Sequence, residues 1–274
     1  MYPFTRQLLE YNSNNLDKKL GILILDAKGN YYNQVKKYAK QFNLLNDLIV
    51  IELNSNVFYN PLHKPNLKPQ ILANRLKTIL LLFSENNTES YWLDKAEQII
   101  CEAIKLCRLY NNGYVTFLEL HKLITNPNYY NEKIQILRNL FINSKFSKSQ
   151  IYELNACLDF FEKEFFSLDI RTKNILISEI TRITNTFISD YDVMSTFCSP
   201  KSKLTFNTFD TVLESGKIVV LNINISEYNM LSKIIATYLK LDFQTEIMTR
   251  LSKNISKTSA FICDEYDKFA SKIR

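Results

Sequence analysis

Glycine is the first scarcity: the 274 residues hold four, Gly21, Gly29, Gly113 and Gly216. A Walker A phosphate loop needs two glycines five positions apart followed by Lys and Ser or Thr, and no pair here has that spacing. The sequence also has no Gly-x-Ser-x-Gly nucleophile elbow. Its two histidines, His63 and His121, lie far apart and give a Ser-His-Asp triad no footing. The five cysteines, at 101, 107, 157, 198 and 263, form no Cys-x-x-Cys pair and no cluster with histidine. That excludes a zinc framework and a disulfide scaffold. Long apolar runs are missing too: residues 78 to 83 are among the longest, well short of the ~18–20 residues a bilayer span needs. With no charged-then-apolar leader at the N-terminus, the expectation is a cytoplasmic, soluble chain.

What is present is enough apolar material for a core, 46% of residues. The formal charge of +6 suits an anionic partner, but Lys, Asn, Ile and Tyr are all abundant, so charge alone does not specify nucleic acid. Residues 21 to 27 (GILILDA), 48 to 53 (LIVIEL), 218 to 223 (IVVLNI) and 260 to 265 (AFICDE) are short continuous apolar runs rich in β-branched residues. This is the pattern of strands buried on both faces of a parallel sheet. A crossover helix is expected over 31 to 41, and another where Leu231, Ile234, Ile235, Tyr238 and Leu241 recur at helical spacing. From about 70 to 196 the apolar residues recur every three or four positions: Trp92, Ala96, Ile99, Ala103 and Cys107; Ile151, Leu154, Leu158, Phe161 and Phe165; Leu176, Ile180, Ile183 and Phe187. Breaks fall at Asn111-Asn112-Gly113, Asn126-Pro127-Asn128 and Ser199-Pro200. The expected architecture is α/β: residues 1–69 and 197–274 form a parallel-sheet domain, and 70–196 form an all-helical insertion.

The sharpest motif is the strand ending in Asp264 and Glu265. In P-loop ATPases such a strand ends beside the nucleotide, where the first acid holds Mg²⁺, often through water, and the second polarises the attacking water. A strand followed by a polar turn produces the same letters. A second run ends in Asp26, Lys28 and Gly29, and ligands of open α/β sheets sit beyond the carboxyl ends of strands. There, Asp and Gly also serve ordinary backbone turns. Lys36, Lys37 and Lys40 make a basic helix face, open to DNA or simply solvated. Trp92 opens an amphipathic helix, where packing outweighs base stacking.

Taken in order, these segments resemble the coupling proteins of type IV secretion and conjugation systems, in the FtsK/HerA-like branch of P-loop ATPases. The resemblance rests on Asp26-Ala27-Lys28-Gly29, Asn60-Pro61-Leu62, Trp92 with Ala96, Thr116 to Leu120, Leu204 to Phe206, Gly216 to Val220, and Asp264-Glu265. It implies a partial RecA-like nucleotide-binding core with an all-α domain that recognises cargo, ATP and Mg²⁺ as cofactors, Asp264 as the Mg²⁺ ligand through water, and Glu265 as the catalytic base. It further implies a homo-hexameric motor, anchored in the inner membrane, that passes DNA with its relaxase, or protein effectors, to the secretion channel. The family's membrane anchor and Walker A loop are expected upstream of Met1, and its arginine finger downstream of Arg274. The Trp92/Ala96 helix and the Gly216-Lys217 strand favour this class over the other large ATPase class of type IV secretion. Without Walker A, nucleotide binding by this polypeptide alone is not expected, and a cargo- or relaxase-binding fragment with a vestigial nucleotide site, or a decayed gene product, remains an alternative.

Overall fold

The computed structural model describes residues 2–26, 31–83, 90–143, 146–206, 208–253, 255 and 257–264. Its elements in chain order are α1 (Tyr2–Glu10), β1 (Gly21–Asp26), α2 (Tyr31–Gln41), β2 (Leu48–Ile51), α3 (Pro69–Phe83), α4 (Ser90–Tyr110), α5 (Phe117–Thr125), α6 (Pro127–Asn143), α7 (Lys148–Asp159), α8 (Ile170–Ile188), α9 (Tyr191–Phe197), α10 (Asp210–Ser215), β3 (Ile218–Asn222), α11 (Asn229–Ser252) and β4 (Ser259–Cys263). The chain is an α/β protein. Its contacts divide it into one unit of residues 1–61 with 202–274 and a second of 62–201. The approach to α3 and the segment after α9 thus go with the helices. Arg108 holds the carbonyls of Lys64 and Leu67 at 2.9 and 2.8 Å, and the Tyr114 hydroxyl donates to the Ser199 carbonyl.

In the first unit four strands form a parallel sheet in the order β2-β3-β1-β4. All six residues of β1 are buried, as expected of a central strand covered on both sides. The crossovers β1→β2 and β3→β4 run in opposite directions along the sheet, so right-handed connections put their helices on opposite faces. On one face Ile22, Ile24, Ile218, Val220 and Ile262 pack with Val35 and Ala39 of α2 and Leu9 of α1. On the other, Phe206, Phe209, Phe243 of α11 and Phe261 of β4 form a chain of ring contacts at 5.3, 5.4 and 6.1 Å. Gly21 is where α10 crosses β1: a Cβ there would stand 2.7 Å from the Leu213 Cα. Gly216 ends α10 in the left-handed conformation (φ 65°), which an L side chain adopts only at a cost.

The two stretches that flank the insertion are tied within this unit. Phe58 donates to the Thr205 hydroxyl at 2.8 Å and its carbonyl accepts from the amides of Thr205 and Phe206. Tyr59, fully buried, has its ring 5.3 Å from that of Phe206, tilted by 35°, and donates to Asp242 at 2.8 Å.

The second unit is all helical. Ala96, Ile99, Ala103 and Cys107 of α4 are buried, as are Leu176, Ile180, Ile183 and Phe187 of α8, while Trp92 is half-buried. Phe117 and Phe187 stack face to face, centroids 3.9 Å apart, joining α5 to α8. α7 does not continue as a plain α-helix: residues 160–165 form a π-helical turn closed by Phe166 N to Phe161 O at 2.8 Å. The extra residue brings Phe160, Phe161 and Phe165 all inward. Thr116 caps α5 through the Glu119 amide. Asn126 accepts from the amides of Asn128 and Tyr129 ahead of Pro127, the favoured start for α6. Among the described residues no helix is long and apolar enough to cross a membrane.

Candidate functional site

β1 and β3 are neighbours whose crossovers depart in opposite directions, and the crevice beyond the carboxyl ends of such strands is where open α/β sheets hold ligands. The residues ending the strands there are polar. Asp26 is in register with Asn222. Leu25 is in register with Cys263, and the Asp264 amide donates to the Leu25 carbonyl at 3.0 Å, extending the β1–β4 ladder by one residue. Asn222 donates its side-chain amide to Glu52, just past β2, at 2.6 Å. Among the described residues, Glu52, Asn222, Asp26 and Asp264 therefore form one polar row across the sheet edge, three of them carboxylic acids.

The two aspartates sit differently. Asp26 is fully buried, and its Oδ2 accepts from the amides of Tyr31 and Tyr32 at 2.7 and 3.2 Å. It thereby fills the anion seat at the N-terminus of α2, the place where a phosphate would otherwise find free N–H groups. Asp264 is half-buried and within electrostatic reach of Tyr31. Tyr31 is buried, hydrogen-bonded to Thr5, and stacked on Tyr2 at 5.1 Å and 16°. Burial pushes its phenol above the ordinary value, against the Thr5 hydrogen bond, and the Asp264 charge adds to the rise.

Among the sequence candidates, Asp26 and Asp264 are brought to one edge. Glu265, Lys28 and Gly29 lie outside the described residues. Lys36, Lys37 and Lys40 lie on the exposed side of α2, opposite Val35 and Ala39, with Lys36 Nζ 5.7 Å from the Tyr32 ring. His63 is buried beside Tyr114 at 4.9 Å, and His121 bonds Thr184 at 2.9 Å; neither belongs to this edge. The thiols of Cys101 and Cys198 are pushed up to about 11 and about 12 by burial, which makes them poor nucleophiles. Glu52, Asn222, Tyr31 and Thr5 were not among the sequence candidates. The polar residue closing IVVLN and the Glu closing LIVIE are the only marks they leave in the sequence.

As a donor set, a half-exposed carboxylate at a strand end suits a divalent ion bound through water. Among the described residues no three His, Cys, Asp or Glu side chains gather into a larger metal cluster. Among the described residues, the α2 amides at this edge, those of Tyr31 and Tyr32, are already taken by Asp26. No protein-family model, curated protein or solved structure matches the chain.

Proposed function

We propose that this chain is the central part of a type IV secretion coupling ATPase, with a RecA-like core and a helical cargo domain. Asp264 is the residue to hold Mg²⁺ through water and Glu265 the base that takes a proton from the attacking water; the phosphate-binding loop has to come from a segment this sequence does not contain. The ion, when bound, would supply charge neutralisation between phosphate oxygens. The observation that supports the reading is the shared carboxyl edge of adjacent parallel β1 and β4, which ends neighbouring strands in Asp26 and Asp264. Asp26 acts by fixing the start of α2, and Asp264 is left for the ligand. The test is Glu265→Gln in a protein reassembled with a Walker A segment: ATP turnover should fall at least about a hundredfold, and an unchanged rate would remove Glu265 from the role.

A second reading has its own observation. The helices of 62–201 form a compact unit with a core of its own, as a non-catalytic cargo- or relaxase-binding module requires. On this reading the chain retains a relaxase or effector in a pull-down whether or not Glu265 is intact, and failure to retain either rejects it.

A further inference from the structure

Among the described residues β2 ends the sheet: it pairs with β3 on one side, Leu48 with Ile218 through Ile51 with Leu221, and no strand follows on the other. The ladder fixes which way its main-chain groups turn. The Ile22 amide donates to the Lys217 carbonyl at 2.9 Å, so Ile22, Ile24 and Asp26 of β1 address β3. Consecutive strand residues turn their N–H and C=O to opposite sides. Lys217, Val219 and Leu221 therefore meet β1, and Ile218, Val220 and Asn222 turn to β2. On β2, Asp47, Ile49 and Ile51 answer them, which leaves Leu48, Val50 and Glu52 facing outward.

Two of these six outward groups are satisfied within the chain. The Leu48 amide donates to the Leu45 carbonyl, and the Glu52 carbonyl accepts from the Ser55 hydroxyl at 3.0 Å. In chain order the other four are the Leu48 C=O, the Val50 N–H, the Val50 C=O and the Glu52 N–H, which have no hydrogen-bond partner among the described residues. Leu48, Ile49 and Val50 are only half-buried. The strand, Leu-Ile-Val-Ile, carries none of the lysines or prolines that blunt a sheet edge.

We propose that β2 pairs antiparallel with β2 of a second copy of this chain, across a two-fold axis at Val50, so that two sheets run on as one. The four unpartnered groups complement themselves under that axis. The two Val50 residues exchange N–H and C=O, as a hydrogen-bonded antiparallel pair does, and each Leu48 C=O accepts from the Glu52 N–H of the other copy. The groups that would close the ladder beyond these, the Leu48 N–H and the Glu52 C=O, are the two already satisfied inside the chain. Charge agrees with this register. It sets Asp47 opposite Leu53, Leu48 opposite Glu52 and Ile49 opposite Ile51, so no charge directly faces its like. An unrelated extended peptide could add to the same edge, but the two-fold symmetry of the unpartnered set is what an isologous contact requires.

The experiment follows the full chain by sedimentation velocity over a concentration series. It should move from the 32.2 kDa chain to a species of twice that mass and no further. Val50→Pro deletes one outward N–H and leaves the β3 bonds of Ile49 and Ile51 in place, a position where a sheet edge tolerates proline. It should weaken the dimer at least about tenfold, with circular dichroism unchanged, whereas Val50→Thr, which keeps the main chain, should dimerise like the parent. Amide hydrogen exchange gives a second readout that needs no variant, and it decides the matter if Val50→Pro does not fold. The Val50 and Glu52 amides should exchange at least about tenfold more slowly in the dimer than in the dilute monomer. A chain that stays monomeric, a dimer that survives Val50→Pro in a folded protein, or Val50 and Glu52 amides indifferent to concentration overturns the proposal. So does growth beyond the dimer, which would mean open-ended edge aggregation, or equal loss with Val50→Thr, which would place the contact in side chains.

Discussion

His63 carries the clearest electrostatic consequence of any single residue. Its imidazole is buried with Nδ1 lacking a partner, and its pKa is lowered to about 4, first by burial and then by the positive charges of Lys201, Lys64 and Arg108. The unfolded chain takes up this proton near the ordinary value of about 6.5, the folded chain only near 4. Between those values the unfolded state binds more protons, so stability falls as pH drops through the window and is unaffected above it. The loss expected on going from pH 7 to 4.5 is on the order of 2 kcal/mol, read by urea denaturation. Glu119 opposes this trend, because burial raises its pKa, so the folded chain takes up this proton more readily than the unfolded chain and gains stability as pH falls. Comparison with His63→Leu isolates the histidine: its profile should be flatter across the window, and an identical profile would assign the acid sensitivity elsewhere.

Among the elements, α2 shows how a strand end and a helix start are made into one joint. The Asp26 carboxylate satisfies two amides of the first turn of α2 that no helical carbonyl can reach. Asp26→Ala should cost about 1–2 kcal/mol in urea denaturation, while Asp26→Asn, which keeps an acceptor, should cost clearly less. Equal losses would mean that buried charge, and not capping, sets the effect. The strands and both crossover helices are legible in the sequence because β-branched runs and the Val35/Ala39 and Leu231/Ile235 spacings are local patterns. The capping role of Asp26 is not legible, because Asp-Ala-Lys-Gly reads equally well as a turn or as a ligand loop. Nor is the Asn222–Glu52 pair, whose members are 170 positions apart. The π-helical turn escapes for another reason: Phe160, Phe161, Phe165 and Phe166 are apolar all round, so they fit an α pattern and its one-residue bulge equally well.

For the molecule as a whole, the division at 61/62 and 201/202 predicts that residues 62–201 expressed alone melt cooperatively and keep their helical circular dichroism. A fragment without a cooperative transition would make its core dependent on the sheet-bearing residues. The extent of this unit was only partly readable. Helical periodicity marks the helices from 70 onward, but the attachment of 62–69 and 197–201 rests on Arg108 and Tyr114 reaching backbone carbonyls, which periodicity does not report.

The order β2-β3-β1-β4 also governs how the chain is made. Ile22 pairs with Ile218, so β1 waits for about 200 residues of synthesis before either of its neighbours exists. At the usual rates of about 5–20 residues per second this is some 10–40 seconds, during which the helical unit emerges entire while a strand that is apolar up to Asp26 stands without its partner strands β3 and β4. The exposure of β1 ends only when β3 emerges, so aggregation during synthesis should concentrate in that interval.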